Sequence, residues 1–493
     1  MSGPWRLSFE DLRARGDAPA LRSIDEQLSY RQLADRAAVI AEALAAAGVA
    51  PGDAVGLLFG RRGHVEPVAL AAVLGARAVA VPLDTQSPAA RLAALVQRAG
   101  CRALLYDRAA AELAAELRGA LAAIELDAGG RPQLRSRGCS GEAPQRPGAA
   151  AILHTSGTTG VPKAVPIEWE GLDAFTAWMI ELTGLATGDR VLRISELGFD
   201  LAWFDHVATW RAGALLVTVE RREIVGARTL ADRVGVLRPQ VIYAVPSFLV
   251  KLLGGWPADA PLHQELRVIC FAGEVFPPPD LLALARRAPH CRLVNLFGPT
   301  ETNVCTYYEV DPVALDGRSE LPIGVAPPYA ECSLVAEDGA VVAGPGIGEL
   351  VVAGPTALGG RCATGDRVER GVDGLFYFRG RLDRMVKIRG YRVQPAEVEA
   401  ALLADPRVRE AAIVVTRSRR VGLELEGHVT LRDEGAVVDS RELRRAVAAL
   451  LPPHMLPQRI AIRAELPRTT TGKIDYGKLA PRSDDGAARS DRL

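Results

Sequence analysis

The chain has 493 residues, with 59 basic and 59 acidic side chains, 48% hydrophobic residues and 5% aromatic ones. That length suggests two or three domains with ample material for a large core. The even charge balance gives no reason to expect a nucleic-acid or membrane partner, and the seven scattered cysteines contain no Cys-x-x-Cys pair, so they lend no support to zinc or dithiol chemistry and fit a reducing, cytoplasmic setting. The N-terminus lacks a basic segment followed by an apolar run, so no secretory signal is expected. The apolar stretch near residues 68–83 holds Gly75 and Arg77, too short and interrupted to span a bilayer.

Ser29 and Gln32 have capping-box spacing, and Leu33, Ala37, Ile40, Leu44 and Ala47 recur at helical spacing before Gly48. Short apolar runs at 54–59 and 78–81 lie between helical patterns. The alternation continues through runs at 241–245, 268–271 and 293–296. It predicts parallel sheets covered by helices, an α/β class. Residues 126–147 are rich in Gly, Pro and Arg and read as a surface loop. After Pro322, short strands at 331–342 and 348–354 with Gly and Asp-Gly turns predict a small β-rich piece. From Gly380 a basic loop leads to a helix at 395–403, strands at 411–415 and 427–431, and a helix at 440–451. The polar tail from Ser483 reads as disordered.

The most informative segment is Ile152-Leu-His-Thr-Ser-Gly-Thr-Thr-Gly-Val-Pro-Lys163. An apolar run opens into Thr155, Ser156, Thr158 and Thr159, with Gly157 and Gly160 between them and Lys163 at the end. Glycines let backbone N–H groups close on an anion, and hydroxyls and an ammonium add donors for phosphate oxygens. It is not a Walker A loop, because Pro162 and Ala164 flank the lysine. Taken alone, such a loop is more often a plain solvated connection. Four more segments follow. Asn295-Leu-Phe-Gly-Pro-Thr-Glu301 sets an aromatic, a hydroxyl and a carboxylate on one turn. Thr364-Gly-Asp366 places a carboxylate on another. Gly380-Arg-Leu-Asp383 with Val386-Lys-Ile-Arg-Gly390 is basic and Gly-punctuated, and Thr471-Gly-Lys-Ile-Asp475 lies near the C-terminus. Singly these are turn punctuation or solvated charge; five in this order along most of the chain are not.

On these motifs, together with Leu28-Ser-Tyr-Arg-Gln-Leu33, Val79-Ala-Val-Pro-Leu-Asp84 and Leu451-Pro-Pro-His-Met-Leu-Pro457, the chain resembles the adenylate-forming superfamily of acyl-CoA synthetases, luciferases and nonribosomal peptide synthetase adenylation domains. The resemblance covers roughly residues 10–480. It implies a large N-terminal domain of parallel sheets with a β-rich subdomain (1–382), a small mobile α+β C-terminal domain (383–482) and a disordered tail (483–493). It also implies ATP and Mg²⁺ as cofactors. Thr155, Ser156, Gly157, Thr158, Thr159 and Lys163 should hold phosphates, with Gly273, Glu274, Asn295 and Gly298 also lining the ATP site. Glu301 should bind Mg²⁺, Thr300 the α-phosphate, and Phe297 should stack on adenine where the family usually has Tyr. Asp366, with Arg381 nearby, should accept from the ribose. Lys473 should bridge the substrate carboxylate and α-phosphate, and Asp383 should be the hinge of a domain turn between two half-reactions. Two departures are visible: Ala164 replaces a usual glycine, and the link from Leu350 to Thr364 lacks a common Thr-rich insertion.

The same resemblance implies a substrate. Asp200, in Phe199-Asp-Leu-Ala-Trp-Phe-Asp205, should face an α-ammonium group, although it also reads as a helix N-cap. The pocket wall should be Leu201, Phe204, Tyr243, Cys270, Ala272, Leu296, Val304 and Cys305, closed by Lys473. This wall is compact and apolar, and similar to that of stand-alone enzymes activating L-proline for pyrrole-type natural products; Cys270 departs from that group's bulkier aliphatic residue. No carrier motif follows Lys473, so the expected acceptor is the phosphopantetheine thiol of a separate peptidyl carrier protein. The alternatives are an acyl- or aryl-CoA ligase, an adenylation enzyme for another small apolar amino acid, and a nucleotide-binding pseudoenzyme. Asp200 argues against the first, and Lys163, Glu301, Asp366 and Lys473 against the last.

Overall fold

The computed structural model describes residues 3–60, 63–119, 121–136, 138, 145–156, 162–257, 260–313, 320–418, 422–433, 438–469 and 473–479. The chain divides into two compact units. The first holds residues 1–85, 92–155 and 164–383; the second groups 86–91 and 156–163 with 384–493.

Two large sheets organise the first unit. One has eight strands, in the order Thr306–Glu309, Arg292–Phe297, Val268–Phe271, Val241–Ala244, Arg190–Arg193, Leu215–Thr218, Pro19–Arg22 and Gln27–Ser29. Its six inner strands pair in parallel, and the two edge strands are antiparallel. The other has seven, in the order Pro132–Ser136, Ala122–Leu126, Cys101–Asp107, Ala54–Leu58, Val79–Leu83, Ala149–Thr155 and Lys163–Glu168. Parallel strands buried on both faces read as continuous apolar runs, and Ala54–Leu58 and Val241–Ala244 are buried throughout. Alternate residues still face different cores. Val55, Leu57, Tyr243 and Cys270 join one core shared by both sheets, while Ile242, Ile269 and Phe271 face a second and Ala54, Leu58 and Val79 a third.

The helix Tyr30–Ala46 starts with the capping box expected at Ser29 and Gln32 and buries Leu33, Ala37, Ile40 and Leu44. The helix Val65–Gly75 is buried almost end to end. Its first turn carries Glu66, which pairs with Arg193, 0% exposed, in the other sheet. The segment 126–147, expected to be a loop throughout, contains the edge strand Pro132–Ser136, antiparallel to Ala122–Leu126. That strand is mostly exposed, so burial left no apolar alternation to read. A four-stranded antiparallel sheet, Glu331–Val335, Gly346–Ala353, Arg361–Arg370 and Phe376–Arg381, forms the expected β-rich piece around Leu334, Leu350, Val352 and Val368.

In the second unit, Val386–Ile388 and Tyr391–Val393 make a hairpin whose two-residue turn, Arg389 and Gly390, has positive φ at both positions. Such a turn follows the natural strand twist. The helix Pro395–Leu403 and the helix Ser440–Ala448 flank a sheet of Val408–Ser418, Gly422–Leu431 and Arg459–Ile462, with Val398, Leu402, Ile413, Val429, Leu443 and Val447 in its core. Among the described residues, no helix is long and apolar enough to cross a membrane. The tail from Ser483 lies outside the described residues.

Candidate active site

Register brings much of the predicted pocket together. Tyr243 and Cys270 are direct cross-strand partners, and Cys270 is in turn opposite Val294. With side chains alternating along each strand, Tyr243, Cys270, Ala272 and Leu296 point to one face and share a core with Leu201, Phe204 and Val304. The Phe204 ring meets Tyr243 edge-on at 5.8 Å and 75°, a favoured aromatic geometry. Cys305 lies in the adjoining core beneath the four-stranded sheet, and its N–H donates to the Phe297 carbonyl at 2.8 Å.

Asp200 sits at the N-terminus of the helix that begins at Leu201, and its carboxylate accepts from the Leu201 N–H at 3.0 Å. The capping role foreseen for it is therefore present. The helix then widens into a π segment, Phe204–Ala208, before closing at the left-handed Gly213. π-bulges recur at functional sites; here the bulge begins at Phe204, one of the expected wall residues. Burial pushes the Tyr243 phenol well above its ordinary pKa, and the negative charge of Asp200 acts next in the same direction. The Cys270 thiol is pushed up to about 12 by burial, so both groups stay neutral and the wall is uncharged.

Sequence reasoning missed Tyr329. Its hydroxyl donates to the Val304 carbonyl at 2.6 Å, and its ring meets Trp178 edge-on at 5.6 Å. Trp178 also meets Tyr307 at 5.1 Å. These rings buttress the Val304–Cys305 wall. The available signal was a tyrosine after Pro327-Pro328 in an aromatic-poor chain.

The nucleotide candidates gather at strand ends. Gly298 admits no side chain, since a Cβ there would lie 1.7 Å from the Asn303 carbonyl oxygen. That close turn presents half-buried Thr300 and buried Glu301, 6% exposed. Phe297 lies 5.6 Å from the Phe378 ring. The Asn295 amide donates to the Pro322 carbonyl at 2.8 Å, and Glu274 accepts from the Ser247 N–H at 2.9 Å beside the left-handed Gly273. Asp366 and Arg381 are strand partners joined by a 2.7 Å ion pair, and Arg381 also reaches Asp383 at 2.6 Å.

In the second unit, Lys473 is exposed, and its carbonyl accepts from the Thr469 N–H at 2.8 Å. Thr155 ends its strand in buried surroundings, Ser156 is half-buried and Lys163 exposed. Gly157, Thr158 and Thr159 lie outside the described residues. Glu301 suits the expected Mg²⁺: a carboxylate is a hard donor, and that ion commonly takes one or two protein carboxylates while substrate phosphates and water fill its other positions.

Comparison with known proteins shows the family of the chain. Residues 9–360 match the family of AMP-binding enzymes, and residues 397–473 match the AMP-binding enzyme C-terminal domain. An L-proline--[L-prolyl-carrier protein] ligase of Pseudomonas fluorescens is 34% identical over 93% of this chain and 95% of its own length. A ligase of the same name from Streptomyces coelicolor is 33% identical over 92% of each chain. The amide bond synthetase McbA from Marinactinospora thermotolerans shares the fold, with a TM-score of 0.83 at 23% identity over 96% of this chain and 98% of its own. The chain belongs to the AMP-binding, adenylate-forming superfamily of ligases, which use ATP to activate a carboxylate.

Proposed function

We propose that this protein adenylates L-proline and transfers the prolyl group to the phosphopantetheine thiol of a separate carrier protein, in the cytoplasm and in the service of pyrrole-type natural products. The observation that carries the reading is that Leu201, Phe204, Tyr243, Cys270, Ala272, Leu296 and Val304 share one core, with the carboxylate of Asp200 at the start of the helix that carries Leu201 and Phe204. Such a wall suits a small apolar side chain, and Asp200 suits the substrate's ammonium group. The names of the two ligases at 33–34% identity support the same substrate.

A carboxylate and a triphosphate must meet as anions, so the barrier is mostly charge repulsion. Lys473 would neutralise both at the point of attack, and Thr300 would donate to the α-phosphate. The carboxylate oxygen forms a bond to the α-phosphorus and pyrophosphate leaves. Thr155, Ser156, Thr158, Thr159 and Lys163 would hold the departing phosphates, with Mg²⁺ at Glu301 supplying Lewis-acid polarisation of their oxygens when bound. Phe297 would stack on adenine and Asp366 accept from the ribose. The region after Asp383 would then turn as a mobile C-terminal domain, exchanging Lys473 for the segment Lys387 to Gly390 so that a thiol can enter. Cys270, the cross-strand partner of Tyr243, favours a second reading, a slightly larger or different small amino acid, because its side chain is shorter than the aliphatic residue usual in the proline-activating group.

Amino-acid-dependent exchange of pyrophosphate into ATP, run over the twenty amino acids and a set of fatty and aryl acids, tests the assignment. Exchange with proline and transfer to a holo carrier protein are expected. Exchange driven only by fatty or aryl acids, with free coenzyme A as acceptor, would replace it with the ligase alternative.

A further inference from the structure

We propose that Arg381 is a positioning residue that couples the nucleotide end of the site to the point where the first unit ends. The inference rests on the assignment of Asp366 to the ribose made above. Arg381 is 10% exposed, and its guanidinium serves two carboxylates at once. Nη1 donates to Asp366 at 2.7 Å and to the Thr364 carbonyl at 3.1 Å, while Nε donates to Asp383 at 2.6 Å. The turn is shaped around this group: Gly365 is left-handed at φ +72°, and a Cβ there would lie 2.6 Å from Arg381 Nη2. Backbone bonding closes the arrangement, since the Leu382 N–H donates to the Gly365 carbonyl at 2.9 Å. Asp383 is the last residue of the first unit. The next residue, Arg384, packs within the second, where it pairs with Glu399 at 2.9 Å.

Only a guanidinium has enough fixed N–H donors to hold both acids in one geometry. Its positive charge is shared, so whatever strengthens one pair weakens the other. Ribose hydroxyls donating to Asp366 satisfy part of that carboxylate and let the guanidinium lean toward Asp383. When the nucleotide leaves, the balance returns to Asp366. Asp383 therefore senses occupancy of a site it does not touch. By linkage, a change at Asp383 must alter nucleotide affinity by the factor with which the nucleotide alters Asp383.

The test is a double-mutant cycle on the full chain, with ATP binding measured by calorimetry. Without Asp383, Arg381 bears on Asp366 alone and competes harder with the ribose. Asp383→Ala should therefore raise the ATP Kd about fivefold, the lower end of inter-site coupling. In an Arg381→Gln background the same change should have no further effect. If Arg381→Gln does not fold, Arg381→Lys serves, since it keeps the cation and loses the fork. An unaltered Kd in Asp383→Ala, or an equal effect in both backgrounds, would overturn the coupling. Asp366→Ala tests the underlying assignment separately: ATP binding should weaken strongly, and unchanged binding would remove the ribose role and the coupling with it.

Discussion

Replacing Asp200 separates the capping role that the structure shows from the ammonium-binding role proposed for the same carboxylate. As a cap, it accepts from the Leu201 N–H at 3.0 Å; losing such a cap to alanine costs about 1 kcal/mol of stability. As the proposed partner of the substrate ammonium, it would supply one half of a charge pair. Two unit charges about 4 Å apart at an effective dielectric of about 20 attract by about 4 kcal/mol. Asp200 is half-buried rather than buried, so about 2–4 kcal/mol is the sensible span after solvent screening. That is roughly a 30- to 1,000-fold rise in the amino-acid KM, with the KM for ATP little changed. Asp200→Asn is the discriminating variant, because its amide oxygen still caps the helix while the charge is gone. It should match Asp200→Ala in pyrophosphate-exchange kinetics yet keep wild-type thermal stability. If Asp200→Asn retains the wild-type amino-acid KM, Asp200 caps a helix and nothing more.

Three further outcomes follow from named residues. Lys473→Ala should nearly abolish pyrophosphate exchange while ATP still binds by calorimetry; near-normal exchange would exclude its charge-neutralising role. Glu66→Ala removes the carboxylate that pairs with the buried Arg193 guanidinium, so denaturant titration should show a loss of about 3–5 kcal/mol, and a loss below about 1 kcal/mol would show the pair to be dispensable. Burial, aided by Arg193, holds His206 well below its ordinary pKa, so the folded state keeps it neutral where the unfolded chain binds a proton. Its contribution to stability is present above about pH 6.5 and falls as pH drops below that value, by up to about 1.4 kcal/mol per pH unit for one proton. His206→Gln should flatten that part of the stability–pH curve, and an unaltered slope would contradict the argument.

What the sequence made legible was local. The capping box at Ser29 and Gln32, the buried parallel strands and the Gly298 turn each write their signature within a few residues. That the expected wall residues share a face was legible because strand register fixes which side chains point together: Tyr243 opposite Cys270 follows once both strands are assigned. Long-range polar pairs left no such mark. Nothing near Glu66 announces Arg193, which lies in another sheet. Tyr329 was hidden for the same reason, since its value comes from Val304 and Trp178, met only after folding. The strand Pro132–Ser136 was missed because an exposed edge strand has no apolar face to alternate. The π-bulge at Phe204–Ala208 left no local signature in the sequence, since all five of its residues are buried and read as continuous helix core.

The measurement closest to the central claim is kcat/KM in pyrophosphate exchange for L-proline against alanine, valine, cysteine and pipecolate. Proline is small, apolar and cyclic, carries a cation for Asp200 and has few rotors to freeze on binding. The uncharged wall around Tyr243 and Cys270 should therefore prefer it. A methylene of misfit is worth about 1–3 kcal/mol, so competitors should trail proline by at least about tenfold. If any of them exceeds proline by about tenfold, roughly 1.4 kcal/mol of transition-state preference, the prolyl assignment is wrong.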